Sequence, residues 1–474
     1  MWMPEYRVDF GLSIASSGCF GIYSDAEKVD RRVDYSFDDY RLAGLAVGNV
    51  PAPVLDVVEV LRGLTLIDRY ARRTLPGDTR PIEQRGPRRF IATFPVRDVS
   101  LWSTTAAASL LERLVWYLGC DVLEASFVPV RERTRAYEVQ QRLPLDVPAP
   151  FDAVTLLSGG LDSVFGLLSC VGFDKAKQTL AVSVDSHHRQ VGLQTSIVRA
   201  LRLRRPYGAW ELPVVHIPLR SRVRRDLKMR ESSYRMRVLG FLAAGLLASV
   251  GVGLDRLVVA ENGPGALNLP GTPTLGGSRL NRAMHPTTLN LVAELVSVVL
   301  GTPFRIENVG LSLTKRQMVN RMTEAGFRPL LDLTNSCDRF PYAVADKHCG
   351  VCSSCLLRAL AALDNSSIFD RLGFEGASVP VRLSTMARSA AFVHLRMVGE
   401  LLDDVLASKT PIDRLWAWDP DIYQVRKEIP LSDLLVMLRA FRQDISDLAG
   451  LVDLVQSGGV LDTVQGLARL KTSY

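Results

Sequence analysis

The sequence predicts an α/β protein with a central doubly wound parallel sheet, flanked by an N-terminal α+β domain and a C-terminal helical region. Between residues 151 and 364, short apolar strand patterns alternate with helical patterns, which implies parallel βαβ units. From residue 365 onward the apolar residues recur only at spacings of three and four, as in helices. The length of 474 residues also exceeds what one ordinary core holds.

The N-terminal region mixes both kinds of pattern. Residues 88–96 and 121–130 alternate like strands, whereas 54–73 and 104–119 have the spacing of amphipathic helices. The segment 142–150 carries three prolines, which disfavour helix interiors and central strands, so it is a natural boundary. The sequence therefore predicts domains at 1–145, 151–364 and 365–474.

The central region supplies the strands of the predicted parallel sheet. They are expected at 152–158, 179–185, 214–219 and 255–262. The longest apolar run, 238–254, contains four glycines and is slightly short for a bilayer span. We predict a buried helix there and no membrane segment. In the C-terminal region, helices are expected at 389–406 and 431–455.

Composition limits the function classes. An apolar fraction of 47% and a charged fraction of 23% are globular values, which exclude a disordered or fibrous chain. The net charge of +7 suits phosphate-bearing ligands. The basic segment Arg220–Arg230 could contact a nucleic-acid backbone, but a solvated helix face is commoner, so nucleic acid is a secondary partner. Without a signal-peptide pattern and with clustered thiols, a cytoplasmic location is expected.

A glycine turn, SGGLDS at 158–163, follows the first strand of the central region and opens a helix. The N-terminus of a helix has unpaired N–H groups and a positive dipole end, which stabilise an anion. Gly159 and Gly160 let the backbone approach a phosphate closely, and the two serines can donate hydrogen bonds. Asp162 can help to hold Mg²⁺ near the phosphates. A turn that merely caps the helix is the alternative.

Polar residues also follow the second predicted strand. Asp185, His187 and Arg189 come at its carboxyl end, and in an open α/β sheet ligands bind beyond that edge. We therefore expect these residues on the same rim as the glycine turn, in a polar site. Ordinary surface histidines are the alternative.

Four cysteines cluster near the end of the central region. They are Cys337, Cys349, Cys352 and Cys355. Four thiolates complete a tetrahedral Zn²⁺ shell without an open position, which makes a structural site. An iron–sulfur cluster is the rival because its ligand spacings overlap. His348 could replace one ligand.

These motifs together resemble a known family. SGGLDS matches the pyrophosphate loop (PP-loop) of ATP pyrophosphatases. With Asp185, Arg230, Leu313-Thr314-Lys315 and the HCGVCSSCLLRA segment in this order, residues 151–362 resemble the 7-cyano-7-deazaguanine synthases (QueC). The resemblance implies a PP-loop fold, ATP and Mg²⁺ as cofactors, Zn²⁺ on the four cysteines, and a deazapurine-like carboxylate as substrate.

The resemblance also implies roles for individual residues. The carboxylate would attack the α-phosphate of ATP, and ammonia would displace AMP, before a second ATP converts the amide to a nitrile. Lys315 and Arg230 would supply positive charge, with Asp162 as the third catalytic residue. The expected ATP-binding residues are Ser158, Gly159, Gly160, Leu161, Asp162, Ser163, Asp185, His187 and Arg189. Glu261 and Asn262 hold the place of the family's substrate segment.

Two departures from the family change the expected acceptor. Residues 263–277 are rich in glycine and proline, which predicts either a mobile loop over the site or a surface linker. The chain also has an N-terminal α+β region and a C-terminal helical region that stand-alone family members, about half this size, lack. A long chain of this kind resembles the QueC-like (QatC-type) components of bacterial anti-phage systems, which implies protein partners from a defence operon and an amine of a protein or nucleic acid in place of ammonia.

Three further hypotheses stay open at this level. The protein could be a stand-alone synthase of queuosine biosynthesis. It could catalyse a related chemistry such as tRNA thiolation or amidation, although no cysteine pair stands near SGGLDS. It could also be a non-catalytic ATP-binding scaffold for partner proteins, against which an intact SGGLDS argues.

Overall fold

The structure is a computed structural model with ten strands in one sheet and helices on both faces of that sheet, within the part of the chain that it describes. This confirms the predicted mixed α/β class. The described residues are 3–11, 17–24, 29–37, 50–73, 86–131, 151–172, 178–185, 188–204, 214–223, 231, 233–269, 282–340, 348–363 and 379–457.

The strands fall into an N-terminal and a central group of five. They are β1 (Glu5–Asp9), β2 (Ser17–Ser24), β3 (Val29–Phe37), β4 (Arg89–Val96), β5 (Val122–Pro129), β6 (Ala153–Leu156), β7 (Thr179–Asp185), β8 (Val214–Val223), β9 (Arg256–Val259) and β10 (Arg305–Asn308). Their order across the sheet is β10-β9-β6-β7-β8-β3-β2-β1-β4-β5. The central group is parallel throughout, whereas β3 pairs antiparallel with both β2 and β8.

The central five strands have an order that creates a crevice. β6 lies in the middle, with β7 and β8 on one side of it and β9 and β10 on the other. The chain leaves β6 toward one side and later returns to the other, so the connections after β6 and β9 diverge. In such sheets the ligand binds at this switch point, beyond the carboxyl ends of the two strands.

Helices connect and cover the strands. Those of the N-terminal region are α1 (Ala52–Tyr70), α2 (Val99–Trp102) and α3 (Thr105–Gly119). Those of the central region are α4 (Leu161–Val171), α5 (His188–Arg204), α6 (Arg237–Gly251), α7 (Gly263–Leu267), α8 (Pro286–Leu300), α9 (Lys315–Glu324), α10 (Arg328–Leu331) and α11 (Ser353–Ala362). The C-terminal region contains α12 (Val379–Ala387), α13 (Ala390–Ala407), α14 (Pro411–Trp418), α15 (Ile422–Glu428) and α16 (Leu431–Gln456).

Two hydrophobic cores lie on opposite faces of the central sheet. Along β7, Leu180 and Val182 point into one core and Ala181 into the other, as the two-residue period of a strand requires. The first core joins α1 and α3 to α6 and α8, and the second joins α4, α9 and α11 to the C-terminal helices. The sheet and the first core thus continue across the predicted boundary near 150, and the second core continues across that near 365.

Two local expectations differ from the structure, and three strands were not predicted. Strands β1, β2 and β3 form before residue 40, where no strand was predicted from the sequence, and they extend the central sheet. Residues 220–223 belong to strand β8 and pair with β3, so this part of the basic segment is not a helix face; 224–230 lie outside the described residues. Residues 263–267 form the buried helix α7 instead of a loop or linker, and 270–277 lie outside the described residues.

The apolar run at 238–254 forms the buried helix α6, as predicted. Among the described residues, no helix combines the length and the apolar character needed to cross a bilayer.

Candidate functional site

The glycine turn lies at the switch point, between the end of β6 and the start of helix α4. Gly159 has φ +90°, in the left-handed region that side chains other than glycine rarely adopt. A Cβ atom there would also lie 2.8 Å from Leu193 Cδ2. Both observations explain why glycine is required at this position.

Serine hydroxyls accept hydrogen bonds from the N–H groups of the turn. Ser163 Oγ accepts from Gly159 N at 3.2 Å, and Ser158 Oγ accepts from Gly160 N at 3.2 Å. The two hydroxyl oxygens are 3.1 Å apart. The turn therefore gathers backbone N–H groups and two rotatable hydroxyl donors at the N-terminus of α4, where the helix dipole favours negative charge.

Residues distant in sequence hold the turn in place. Ser336 Oγ accepts from Leu161 N at 3.1 Å, and Asn335 N donates to Gly159 O at 3.1 Å. From α5, Gln194 Nε2 donates to the two carbonyl groups just before the glycines, at 3.1 and 3.3 Å. The sequence interpretation missed these three residues. The position of Asn335 and Ser336 directly before a predicted metal ligand was the only signal for them, and Gln194 carried none.

Four charged or amide side chains from three segments meet beside the turn. Lys315 Nζ lies 2.7 Å from Asp162 Oδ2, in an ion pair shielded from solvent. Asn262 Nδ2 donates to Asp162 Oδ1 at 3.1 Å and to Glu261 Oε1 at 2.7 Å. The structure thus joins Asp162 and Lys315, predicted as catalytic, to Glu261 and Asn262, predicted to bind substrate.

Local backbone structure explains how Lys315 reaches this cluster. Thr314 caps helix α9 and forms a reciprocal capping box with Gln317, so the helix begins at Lys315. The Leu313 carbonyl accepts from Gly263 N at 2.8 Å, which ties this segment to the chain that follows β9. The neighbouring parallel strands β9 and β10 therefore deliver Asn262 and Lys315 to one place.

The electrostatics of the cluster favour a neutral Glu261 and a charged Lys315. Burial, with the nearby Asp162 charge, raises the pKa of Glu261 to about 8. Burial acts to lower the pKa of Lys315, but the negative charges of Asp162 and Glu261 outweigh it and raise that pKa. Near neutral pH the cluster therefore holds one firm ion pair and one carboxyl group that can exchange a proton.

The remaining predicted site residues have different outcomes. Asp185 is the last residue of β7, on the same sheet edge as the turn. Arg189 is exposed in the first turn of α5. His187 and Arg230 lie outside the described residues.

The four cysteines form a cluster that could bind a metal such as zinc. The Sγ atoms of Cys337, Cys349, Cys352 and Cys355 all lie within 4.8 Å of one another. Four sulfurs at about 2.3 Å from one Zn²⁺ would be about 3.8 Å apart, and Cys349 Sγ and Cys355 Sγ are separated by 3.9 Å. This spacing fits one ion better than an iron–sulfur cluster, in which thiolates bind different irons and lie farther apart.

His348 has another role than that of a metal ligand. It is buried, and its Nε2 atom accepts a hydrogen bond from Ser336 N at 3.4 Å. Cys337 N donates to Asn335 Oδ1 at 3.0 Å. Because Asn335 and Ser336 also bind the glycine turn, the cysteine cluster and the turn share one short connecting segment.

Two comparisons with known proteins were made by sequence. No protein-family model matches this chain, and no curated protein is significantly similar to it. The arguments for function therefore come from the geometry and from the motifs themselves.

Proposed function

We propose that this protein is a QueC-like enzyme of the PP-loop ATP pyrophosphatase type, which adenylates a carboxylate and passes the acyl group to an amine. The substrate would be 7-carboxy-7-deazaguanine or a similar acid, and the setting an anti-phage defence system with protein partners. The observation that carries the proposal is the Asp162–Lys315 ion pair beside the glycine turn, at the switch point of a parallel sheet.

The turn suits the phosphates of ATP. Its N–H groups and the Ser158 and Ser163 hydroxyls surround the start of α4, and a hydroxyl can rotate from its present acceptor to donate to a phosphate oxygen. Lys315 would add a positive charge where negative charge develops during pyrophosphate release. Asp162 keeps that ammonium group oriented. It would also offer an oxygen ligand to Mg²⁺, together with the phosphates.

The reaction would proceed in two balanced steps. A carboxylate oxygen forms a bond to the α-phosphorus, and the bond to the bridging oxygen breaks, which releases pyrophosphate. An amine nitrogen then attacks the acyl carbon, and the bond from this carbon to the bridging oxygen breaks. AMP leaves with that oxygen, which came from the carboxylate, and the amine gives up one proton. Glu261, with a pKa of about 8, could exchange this proton near neutral pH.

The cysteine cluster has a structural part in this proposal. When bound there, Zn²⁺ would add folding free energy and leave no open coordination position for chemistry. One of its four cysteines, Cys337, directly follows the segment that contacts Gly159 and Leu161. The cluster would therefore stabilise the ATP-binding turn.

Product analysis tests the proposal. The full-length protein is incubated with ATP, Mg²⁺, an ammonium salt and carboxylated deazaguanine, with and without the neighbouring operon proteins. AMP, pyrophosphate, the small-molecule products and the protein masses are measured. We expect the wild-type protein to form AMP and Asp162→Asn to form none. The control Asp255→Asn changes an aspartate that is exposed to solvent, and it should form AMP at the wild-type rate. Free nitrile product with unchanged partner masses would indicate a stand-alone synthase, and no AMP with any carboxylate would indicate a scaffold.

A further inference from the structure

Helix α16 carries a buried acid within its apolar face. The buried face follows a helical period through Leu434, Leu438, Phe441, Ile445 and Leu448, and Asp444 lies in the middle of it. A buried carboxylate is unfavourable unless charged or hydrogen-bonding partners compensate for its lost hydration. The partners of Asp444 therefore indicate why an acidic residue occupies this buried position.

The compensating partners of Asp444 come from the segment that holds Lys315. Arg316 Nη1 donates to Asp444 Oδ1 at 3.0 Å and to Asp447 Oδ2 at 2.8 Å. The Thr314 side chain also hydrogen-bonds to Asp444. Arg316 and Asp444 are both nearly inaccessible to solvent. The residues on either side of Lys315 are thus fixed to the C-terminal helix.

The same helix contacts the second segment of the site. Met437 of α16 packs so closely on Gly263 that a Cβ atom there would lie 2.7 Å from Met437 Cε. Gly263 directly follows Asn262, which donates to Asp162. Met437 and Asp444 are two helical turns apart, about 10 Å. One rigid helix therefore spans the backbones that carry Asn262 and Lys315.

We infer that the C-terminal helical region positions the reacting groups of the proposed adenylation site, with Asp444 as a positioning residue that acts on Lys315 through Arg316. The inference rests on the proposed function and deepens it. Lys315 is at the first turn of α9, where one fixed neighbour on each side restricts the direction of its side chain. A shift of about 1 Å in a catalytic group can lower a rate about 100-fold, so this restriction matters for turnover.

Stability alone is the competing explanation for the buried pair. Replacing both members of a buried ion pair with apolar residues of similar size is often neutral or stabilising. A purely structural pair would thus lose nothing in turnover when both charges are removed together. A positioning pair would lose turnover while the fold remains intact, which separates the two explanations.

The test uses the full-length double variant Arg316→Met/Asp444→Leu. Thermal unfolding is compared with wild type, and kcat and KM for ATP are measured from AMP formation. The control is Asp403→Asn, which breaks the more exposed ion pair between Arg442 of α16 and Asp403 of α13. We expect a melting temperature close to that of wild type, because Asp447 is partly exposed and keeps its hydrogen bond from Gln443 when Arg316 is replaced. We also expect a kcat reduced about tenfold or more and a KM for ATP within about twofold of wild type, with the control at wild-type kcat.

Each outcome decides a separate point. A wild-type kcat in the folded double variant overturns the positioning role and leaves the proposed function standing. Wild-type protein that forms no AMP overturns the proposed function and this inference with it. If the double variant does not fold, Asp444→Glu is measured instead. It keeps the charge but displaces the carboxylate by one methylene, so a reduced kcat supports the inference and a wild-type kcat contradicts it.

Discussion

Removing the charge of Lys315 is expected to destabilise the fold and to stop AMP formation, and a paired substitution separates these effects. Lys315 and Asp162 are 2.7 Å apart, with side chains only 5% and 12% exposed. Taking away one partner of a buried ion pair leaves an uncompensated charge and costs about 3–5 kcal/mol. We expect Lys315→Met to lower the free energy of unfolding by about this amount.

The loss in free energy of unfolding should differ between the two single variants, Lys315→Met and Asp162→Asn. In Asp162→Asn, the Lys315 charge still interacts with Glu261, whose carboxyl can ionise once the neighbouring negative charge is gone. We therefore expect Asp162→Asn to cost about half as much as Lys315→Met. In the double variant no unpaired charge remains, so at least about 2 kcal/mol of stability should return relative to Lys315→Met.

Urea unfolding of the three variants, with AMP formation in parallel, tests this reasoning. In the double variant we expect stability to recover but not AMP formation, because none of the variants keeps both groups that the proposed adenylation needs. If the two single losses simply add up in the double variant, the pair is not coupled and the electrostatic argument fails. If Lys315→Met forms AMP at the wild-type rate, the assigned role of Lys315 is wrong.

Three further predictions concern the turn, the cysteines and Glu261. Gly159→Ala should weaken ATP binding at least tenfold in a calorimetric titration, because alanine is strained at φ +90° and its Cβ would contact Leu193. The control Gly192→Ala should bind ATP normally, because no atom lies within 4 Å of a Cβ at that position. Cys352→Ser should lower both the bound zinc, measured by atomic emission, and the melting temperature, whereas Cys170→Ser should leave the zinc content unchanged. The pKa of Glu261 is raised from 4.5 to about 8, so the folded chain holds this proton more tightly than the unfolded chain, and its contribution to stability falls as pH rises from about 5 to 8. Glu261→Gln should flatten that slope in urea unfolding at several pH values; an unchanged slope, or equal flattening in the exposed control Glu400→Gln, would contradict the assignment.

Much of the central fold could be predicted from the sequence because local patterns determine it. The predicted strands at 88–96 and 121–130 appear as Arg89–Val96 and Val122–Pro129, and the run at 238–254 appears as a buried helix. Hydrophobic periodicity and the placement of prolines act within a few residues, so each helix or strand can be predicted from its own segment of the chain. The cluster of four cysteines could also be predicted from the sequence, since the spacing of the cysteines limits the geometry of a metal site.

The pairing of strands across the sheet could not be predicted from local patterns. β3 joins β8 although about 180 residues separate them, and this pairing makes one sheet of two predicted domains. Local alternation indicates that a strand forms but not which edge it meets. The same limit applies to the second core, where the C-terminal helices pack on α4, α9 and α11.

By itself, the sequence determined the α/β class, the glycine turn before a helix and the set of cysteines that could bind a metal. Only the tertiary structure decided that Asp162, Lys315, Glu261 and Asn262 meet at the switch point, and that Ser336 supports the turn. It also decided that α16 fixes the residue beside Lys315. The physical reason is that periodicity acts over a few residues, whereas the ion pair joins groups 153 positions apart, which only the parallel sheet order brings to one edge.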